Sequence, residues 1–278
     1  MKINNETTLV GEFSVLISVY YKENPLFLKE CLESVYASTL LPAEVILVKD
    51  GLLTDGLEDV ISTFMKKDGF NTVCLDQNHG LGVALNVGLK HCSYDLVARM
   101  DADDICEPER FHKQYQYLIT NPEVSLLGGY ITEYDQNFSC STGIRTVPCG
   151  YQNILSKCYL RNPFNHMTVM FKKETIFDVG NYIDHPLMED YNLWLRVIKS
   201  GKIVDNLPLS LVKVRAGNEM IKRRAGITYI KSEFKLMKLI NELKITNRLC
   251  SLTVFTMRTL IRCFPRSILG LFYALIRR

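Results

Sequence analysis

"YDLVARMDADD", residues 94–104, places a short apolar run directly before three aspartates, Asp101, Asp103 and Asp104. An apolar run of this length predicts a buried β-strand, so the three carboxylates follow at its carboxyl end. Closely spaced carboxylates repel one another by roughly 1 to 4 kcal/mol per pair, depending on how much water reaches them. The cluster therefore indicates either a bound cation or a solvated loop.

The segments on both sides of this run alternate between strand-like and helix-like patterns. Strands are predicted over 13–21, 43–51, 71–76 and 94–100, with further strand-like runs in 123–135 and 162–173. Helices are predicted over 24–38, 55–68, 78–92, about 108–120 and 186–201. This alternation is typical of an α/β fold with a mostly parallel sheet covered by helices.

Two of the predicted strands end in acidic residues. Asp50 closes the second strand, and Asp101 to Asp104 follow the fourth. Open α/β sheets bind ligands at the carboxyl ends of their strands. We therefore expect these carboxylates, far apart in sequence, to line one crevice.

Composition excludes several classes of protein. With 278 residues, 47% hydrophobic and 23% charged, the chain is long and apolar enough to bury a sizeable core. Residues 1–13 contain no apolar run resembling a secretory signal, so we expect synthesis and residence in the cytoplasm. The nine cysteines are scattered without a CxxC pair, which argues against a disulfide framework or a cysteine-rich zinc site.

Charge is distributed unevenly along the chain. Residues 216–278 carry thirteen Lys and Arg against three Glu, whereas the remaining chain has a net charge of −7. Uncharged runs in this tail are too short to span a bilayer. Arg258, Arg262 and Arg266 recur every four residues, which predicts a basic stripe on a helix lying at an anionic membrane surface. A helical hairpin that covers the domain's own core is the alternative.

Three kinds of metal motif contain acidic residues spaced like those of "DADDICE", residues 101–107. An EF-hand loop would need Asp or Asn at 105 and Gly at 106, where this chain has Ile105 and Cys106. A prenyl-diphosphate synthase would carry its aspartates on a helix, which the preceding strand disfavours. A magnesium or manganese site for a substrate diphosphate remains, with a solvated loop as the alternative.

Five stretches together resemble the family 2 inverting glycosyltransferases of GT-A fold, over roughly residues 12–226. They are "SVLISVYYKE" (14–23), "VILVKDG" (45–51), "NHGLGVALNVGL" (78–89), "ARMDADD" (98–104) and "MEDYNLWLR" (188–196). Within that family the chain looks most like bacterial O-antigen and exopolysaccharide enzymes of the amylovoran type. The resemblance implies a doubly wound, mostly parallel sheet in a domain over residues 1–226, followed by a helical, amphipathic, basic tail over 227–278.

The resemblance also assigns roles on the donor side. It implies that the nucleotide sugar is bound by Val19, Tyr20, Glu23, Asp50 and Asp101, with Asp50 accepting from the uracil imide. It implies that Asp103 ligates Mn²⁺ or Mg²⁺. Asp104 is expected only to cap the turn before the helix near Pro108. A basic diphosphate loop is the expectation for Arg215, Lys222, Arg223 and Arg224, with a solvated basic surface as the alternative.

On the acceptor side the resemblance makes Asp190 the catalytic base, with Glu189 as the secondary candidate. Adjacent carboxylates raise one another's pKa, which suits a base working near neutral pH. An acidic pair that merely favours a helix N-terminus is the alternative. His166, Trp194 and Arg196 are expected at the donor and acceptor cleft, although Trp194 also fits a core position and His166 a structural one.

The predicted function is transfer of glucose or galactose from a UDP-sugar to an N-acetylhexosamine-diphosphate-undecaprenyl acceptor, in a β-1,3 linkage. We expect the enzyme at the cytoplasmic face of the plasma membrane, without a nucleic-acid partner. A nucleotidyltransferase would favour a Gly-rich loop after the first strand, where this chain has "VYYKENP", residues 19–25. A non-catalytic membrane or nucleic-acid binding module would leave Asp50, Asp103 and Asp190 without a purpose.

Overall fold

The computed structural model describes residues 2–4, 8–216 and 227–263. In these ranges the strands are β1 (Lys2–Asn4), β2 (Thr8–Val19), β3 (Leu40–Lys49), β4 (Phe70–Cys74), β5 (Leu96–Asp101), β6 (Ile105–Cys106), β7 (Val124–Tyr134), β8 (Ser141–Arg145), β9 (Met170–Lys172) and β10 (Ile203–Arg215). The helices are α1 (Pro25–Tyr36), α2 (Asp55–Phe64), α3 (Leu81–His91), α4 (Arg110–Thr120), α5 (Tyr151–Lys157), α6 (Lys173–Asp178), α7 (Glu189–Lys199), α8 (Ile227–Glu242) and α9 (Arg248–Cys263), with a 3₁₀ turn over His166–Thr168.

All described strands belong to one mixed sheet, whose main order is β4-β3-β2-β5-β9-β7-β10-β6. The first four strands in this order, β4, β3, β2 and β5, are parallel to one another, and β7 is parallel to β10. Strand β9 lies antiparallel between β5 and β7, and β6 is antiparallel to β10. The predicted α/β fold with a mostly parallel sheet is therefore confirmed.

Hydrophobic clusters cover both faces of this sheet. Side chains of β2 alternate between them: Val15 and Ile17 face the cluster that includes residues of α1, α2 and α4, whereas Leu16 faces the cluster that includes α3, α7 and α8. All three are essentially inaccessible to solvent. Burying each such side chain contributes about 1.5–3 kcal/mol, so the central strands are held rigidly from both sides.

The structure shifts several predicted boundaries. Strand β2 begins five residues before the predicted start and ends at Val19, and α2 ends at Phe64. The run 162–173 forms the 3₁₀ turn and the three-residue strand β9. Strand β10 was not predicted, because Pro208 interrupts its apolar alternation; the register with β7 shifts between Leu207 and Ser210.

The described part of the tail, α8 and α9, forms an antiparallel helical hairpin. Helix α8 contributes Tyr229, Leu236 and Ile240 to the cluster beneath α7. Arg258, the first residue of the predicted basic stripe, turns inward to pair with the buried Glu233 at 3.0 Å. No helix among the described residues is long and apolar enough to cross a membrane.

Candidate functional site

The predicted donor-side residues meet at one edge of the sheet. Strands β3, β2 and β5 are adjacent and parallel, so Asp50, Tyr20 and Asp101 all lie where these strands end. Val19 is fully buried, and its carbonyl accepts a hydrogen bond from the Asp50 N–H at 2.8 Å. Tyr20 and Glu23 are partly exposed beside it. Side-chain contact with a nucleotide is therefore open to Tyr20 and Glu23, whereas the Val19 side chain is buried; the nucleotide contacts of all three residues stay predictions.

Asp50 organises the loop that precedes α3. One carboxylate oxygen accepts from the His79 N–H at 2.8 Å, and the other accepts from the Gly80 N–H and the Asn78 amide, both at 3.0 Å. Gly51 has a φ of 89°, and a Cβ there would lie 2.7 Å from the Asn78 nitrogen, so only glycine fits this turn. Asp50 is 3% exposed. The structure shows Asp50 as a loop anchor, and its uracil contact stays a prediction.

The three aspartates after β5 have different environments. Asp101 pairs with the buried Arg99. Asp104 is 2% exposed and accepts from the Arg215 N–H at 3.3 Å, so it ties the loop to β10. It does not cap α4, whose N-cap residue is Glu109, and that prediction was wrong. Asp103, partly exposed, has no ion pair within the described residues.

Electrostatic crowding marks Asp103 and Asp104. Burial, followed by the negative charge of Asp101, raises the pKa of Asp103 to about 6. Burial and the charges of Asp103 and Asp101 raise the pKa of Asp104 well above its ordinary value. An added cation would relieve this repulsion, because it favours the ionised form of each carboxyl.

The donor set suits a divalent ion held mainly by substrate. Asp103 offers a partly exposed carboxylate oxygen, which is the hard ligand that Mg²⁺ and Mn²⁺ prefer. Nowhere in residues 8–216 or 227–263 do three or more His, Cys, Asp or Glu side chains converge as a complete metal cage. A divalent ion at Asp103 would have to take its remaining ligands from a substrate diphosphate and water.

Arg215 makes structural contacts, and its predicted diphosphate contact stays a prediction. Its guanidinium donates to the Asp103 carbonyl and pairs with Glu30. It also lies between two aromatic rings, 3.9 Å from the centroid of Phe27 and 4.1 Å from that of Phe138. With 5% of its side chain exposed, Arg215 holds the aspartate loop in place. Lys222, Arg223 and Arg224 lie outside the described residues.

Arg215→Lys is expected to destabilise the protein by about 2 kcal/mol, because lysine loses the planar stacking between the two rings. Urea unfolding measures the change. Lys213→Ala is the control: its ion pair with Glu107, at 3.7 Å, is partly exposed and contributes at most about 1 kcal/mol. Equal stability of Arg215→Lys and the unmodified protein would contradict the structural role.

The predicted base begins α7, where the helix dipole favours carboxylates. Asp190 accepts from the Tyr191 N–H and from the Asn162 amide, each at 2.7 Å, through different oxygens. These bonds fix its orientation and leave lone pairs on both oxygens. Burial raises the pKa of Asp190, while the Tyr191 and Asn162 bonds and the charge of Arg99 oppose the rise.

Glu189 links the base to the donor side electrostatically. Burial and the neighbouring Asp190 raise the pKa of Glu189, and Asp101 adds to the rise while Arg99 opposes it. A Cβ at Gly82, in the first turn of α3, would lie 4.0 Å from the Glu189 Cβ, so the start of α7 packs beside the start of α3. A shared cleft for the predicted base and the aspartate cluster stays a prediction.

Three residues predicted at the cleft make contacts within the protein. Trp194 is fully buried, with its ring centroid 5.8 Å from that of His166, so contact with a sugar is excluded. His166 is 8% exposed and shares a 2.8 Å hydrogen bond with the Tyr182 hydroxyl; burial, reinforced by Arg99, lowers the pKa of His166 well below its usual range. Arg196 donates to the carbonyls of Val179 and Asn181. The burial of Trp194 agrees with its alternative, a core position, whereas cleft contact of His166 and Arg196 stays a prediction.

Arg99 is the residue that sequence reasoning missed. Alternation along β5 puts it on the same sheet face as Asp101, and it is 2% exposed. One guanidinium nitrogen binds Asp101, whereas Nε and Nη1 have no hydrogen-bond partner in the structure described. Its charge opposes the rise in pKa of Asp103, Glu189 and Asp190 alike. A charged residue inside an apolar strand was the available signal.

Comparison with solved structures identifies the architecture. Staphylococcus aureus TarS in complex with UDP-GlcNAc matches with a TM-score of 0.65 at 17% identity, over 90% of this chain and 72% of that one. The mannosyltransferase PcManGT from Pyrobaculum calidifontis, in complex with GDP-Man and Mn²⁺, matches with a TM-score of 0.61 at 17% identity, over 95% of this chain and 80% of that one. At this identity the likeness establishes a shared GT-A-like fold.

Sequence comparison identifies a matching family and relatives of higher identity. The family model described as "Glycosyl transferase family 2" matches residues 14–180. The amylovoran biosynthesis glycosyltransferase AmsE of Erwinia amylovora is 43% identical, over 94% of this chain and 97% of its own. The Escherichia coli UDP-Gal:alpha-D-GlcNAc-diphosphoundecaprenol beta-1,3-galactosyltransferase is 41% identical, over 81% of each chain. An uncharacterized glycosyltransferase of Haemophilus influenzae is 45% identical, over 94% and 97%. The chain therefore belongs to glycosyl transferase family 2 and is a glycosyltransferase.

Proposed function

We propose that the chain transfers glucose or galactose from a UDP-sugar to N-acetylhexosamine-diphosphate-undecaprenol, forming a β-1,3 linkage in O-antigen or surface polysaccharide biosynthesis. One observation carries the proposal: Asp50 and Asp101 lie at the carboxyl ends of neighbouring parallel strands, beside the aspartate cluster of Asp103 and Asp104. The activity for which the Escherichia coli relative is named supports the substrate class. The name of AmsE supports a place in polysaccharide assembly.

The proposed reaction is a single displacement. The acceptor hydroxyl oxygen bonds to the anomeric carbon of the sugar, and the bond from that carbon to the UDP oxygen breaks with its electrons. The proton of the attacking hydroxyl passes to the Asp190 carboxylate, which Asn162 and the Tyr191 N–H hold in position. Attack opposite the leaving group inverts the configuration, so an α-linked donor gives a β-linked product.

Asp103 is the residue proposed to hold Mn²⁺ or Mg²⁺. A bound divalent ion would supply charge stabilisation for the departing diphosphate. Asp101, paired with Arg99, has 28% of its side chain exposed at the same edge and is proposed to contact the nucleotide sugar together with Tyr20 and Glu23. The loop anchored by Asp50 would then form the uracil side of the pocket.

A donor panel tests the proposed specificity. UDP release is measured with UDP-Glc, UDP-Gal, UDP-GlcNAc and GDP-Man, with and without Mn²⁺, against synthetic GlcNAc- and GalNAc-diphosphate lipids. Metal-dependent release with UDP-Glc or UDP-Gal, only in the presence of acceptor, is the expected result. Preference for GDP-Man, or equal turnover in EDTA, would overturn the proposed donor or the proposed metal role.

Arg99→Met is expected to move the acid limb of the rate profile to higher pH, because the lost positive charge normally opposes the rise in pKa of Glu189 and Asp190. A base with a higher pKa stays protonated up to a higher pH, so activity should fall most at low pH and recover partly at high pH. The measurement is kcat/KM against pH, and Arg99→Lys should restore most of the original profile.

Arg110→Met is the matched control for this variant. Arg110 is fully buried and donates to the Arg99 carbonyl at 2.7 Å and to Gln114 at 3.0 Å, without an ion pair to the cleft carboxylates. Its loss should lower stability and leave the acid limb unmoved. An unmoved acid limb in Arg99→Met as well would reduce Arg99 to a packing role.

The lipid-linked acceptor implies a membrane location, and we propose that the enzyme is peripheral on the cytoplasmic face of the plasma membrane. The basic excess of residues 216–278 supports this location. A chain truncated after Thr246 should leave the membrane fraction of a cell lysate. Retention of the truncated chain in that fraction would contradict a role for the tail.

A further inference from the structure

Helix α9 presents an uncharged outer ridge. Its exposed apolar side chains are Leu249 (75% exposed), Leu252 (51%), Met257 (57%) and Leu260 (58%), with exposed threonines at 253 and 256 between them. At 3.6 residues per turn, these six positions fall within an arc of about 140° on one side of the helix. None of the exposed residues from 249 to 260 is charged. We name Leu249, Leu252, Met257 and Leu260 the α9 ridge.

Cations flank the α9 ridge. On α8, Lys231, Lys235 and Lys238 are exposed, and Phe234 between them is 44% exposed. The Phe234 ring lies 5.9 Å from that of Phe255, which joins the outer sides of the two helices. Lys244 and Arg248 add exposed positive charge at the turn of the hairpin. Among the described residues of the hairpin, the single exposed acid is Glu242.

Arg258 links helix α9 to α7, the helix that carries the predicted base. It pairs with the buried Glu233 and donates to the Tyr191 hydroxyl at 3.2 Å. The backbone N–H of Tyr191 in turn donates to Asp190 at 2.7 Å. The α9 ridge is therefore part of a rigid unit with the proposed base, and Arg258 is committed inward.

We propose that the α9 ridge docks on an anionic lipid bilayer and so sets the cleft at a fixed orientation to a lipid-linked acceptor; the second half of this inference rests on the proposed function. Apolar area flanked by Lys and Arg matches a leaflet surface, where each cation adds about 1 kcal/mol of attraction. The sequence continues after Cys263 as "FPRSILGLFYALIRR", with three arginines and no acid. A second copy of the chain would meet like charge around the ridge, so lipid is the favoured occupant.

Vesicle flotation of the full-length chain tests the docking. The unmodified protein should float with vesicles of phosphatidylcholine and phosphatidylglycerol, and more weakly with phosphatidylcholine alone or in high salt. Leu252→Glu with Leu260→Glu should lower binding at least about 10-fold, because two carboxylates enter the apolar contact. Ile119→Glu is the control, since Ile119 is equally exposed (58%) on α4. Equal flotation of the double variant and the unmodified protein would overturn the proposal.

Activity on two acceptors separates this proposal from the proposed function. With a water-soluble, short-chain acceptor the double variant should keep its rate, whereas transfer to an acceptor embedded in vesicles should fall at least about 10-fold. Absence of transfer by the unmodified protein to either acceptor would refute the proposed function, while flotation would still decide the docking. A dimer that the double variant dissociates, with vesicle binding unchanged, would make a second copy the occupant and overturn the lipid assignment.

Discussion

Asp190→Asn is expected to lower the transfer rate by about 100-fold to 10,000-fold, the range that general-base catalysis contributes. The amide keeps the size of the carboxylate, and its single oxygen can still accept from the Tyr191 N–H. Its nitrogen cannot accept from Asn162, and the neutral amide cannot take a proton from the acceptor hydroxyl. UDP affinity should not change, because the base acts on the acceptor side. Initial rates of transfer and calorimetric UDP titrations measure the two effects.

Glu189→Gln is the control for this substitution. It removes the neighbouring charge and keeps the base, so the rate should fall far less, and the acid limb of the profile should move to lower pH because Glu189 no longer disfavours ionisation of Asp190. Near-normal turnover by Asp190→Asn, together with a large loss in Glu189→Gln, would transfer the role of base to Glu189.

Asp103→Asn is expected to lower metal-dependent transfer by about 100-fold or more, because a neutral amide is a weaker ligand for a hard cation and stabilises the departing diphosphate less. Without metal the variant should melt at no lower temperature than the unmodified protein, since the substitution removes the repulsion that raises the pKa of Asp103. In the presence of UDP, Mn²⁺ should raise the melting temperature of the unmodified protein only.

Asp104→Asn is the contrasting variant for the metal role. Asp104 is buried and accepts a hydrogen bond from the Arg215 N–H. The substitution therefore removes a charge next to Asp103 without removing an exposed metal ligand. It should retain most of the Mn²⁺-dependent rise in melting temperature. Activity of Asp103→Asn that matches the unmodified protein, with and without EDTA, would show that the cluster does not hold the metal.

Local sequence patterns were sufficient for the parallel strands β2 to β5 and the position of the cluster. Apolar runs that end in Asp50 and Asp101 predict parallel strands, and parallel strands bring their carboxyl ends to one edge. The same reasoning could not decide between cleft and core for Trp194, which shares a helix with Asp190. The helix begins at Glu189, so four residues, about one turn of 5.4 Å, are enough to carry the side chain from the cleft into the core.

Long-range pairing explains the remaining differences. The spacing of Arg258 with later arginines predicts a stripe, but only the fold reveals Glu233, which turns Arg258 inward. The sequence predicts a local capping role for Asp104, because it does not reveal the hydrogen bond with the Arg215 N–H, more than one hundred residues later on β10. The effect of Arg99 is also long-range, because its charge lowers the pKa of Glu189 and Asp190, which belong to α7.

The configuration of the product tests the central claim, a single displacement in which Asp190 activates the acceptor. Nuclear magnetic resonance of the disaccharide made from an α-linked UDP-sugar and a GlcNAc-diphosphate lipid reads the new linkage through the coupling between H1 and H2 of the transferred sugar. A β linkage is the predicted result. An α linkage would mean net retention and would contradict direct attack assisted by one base.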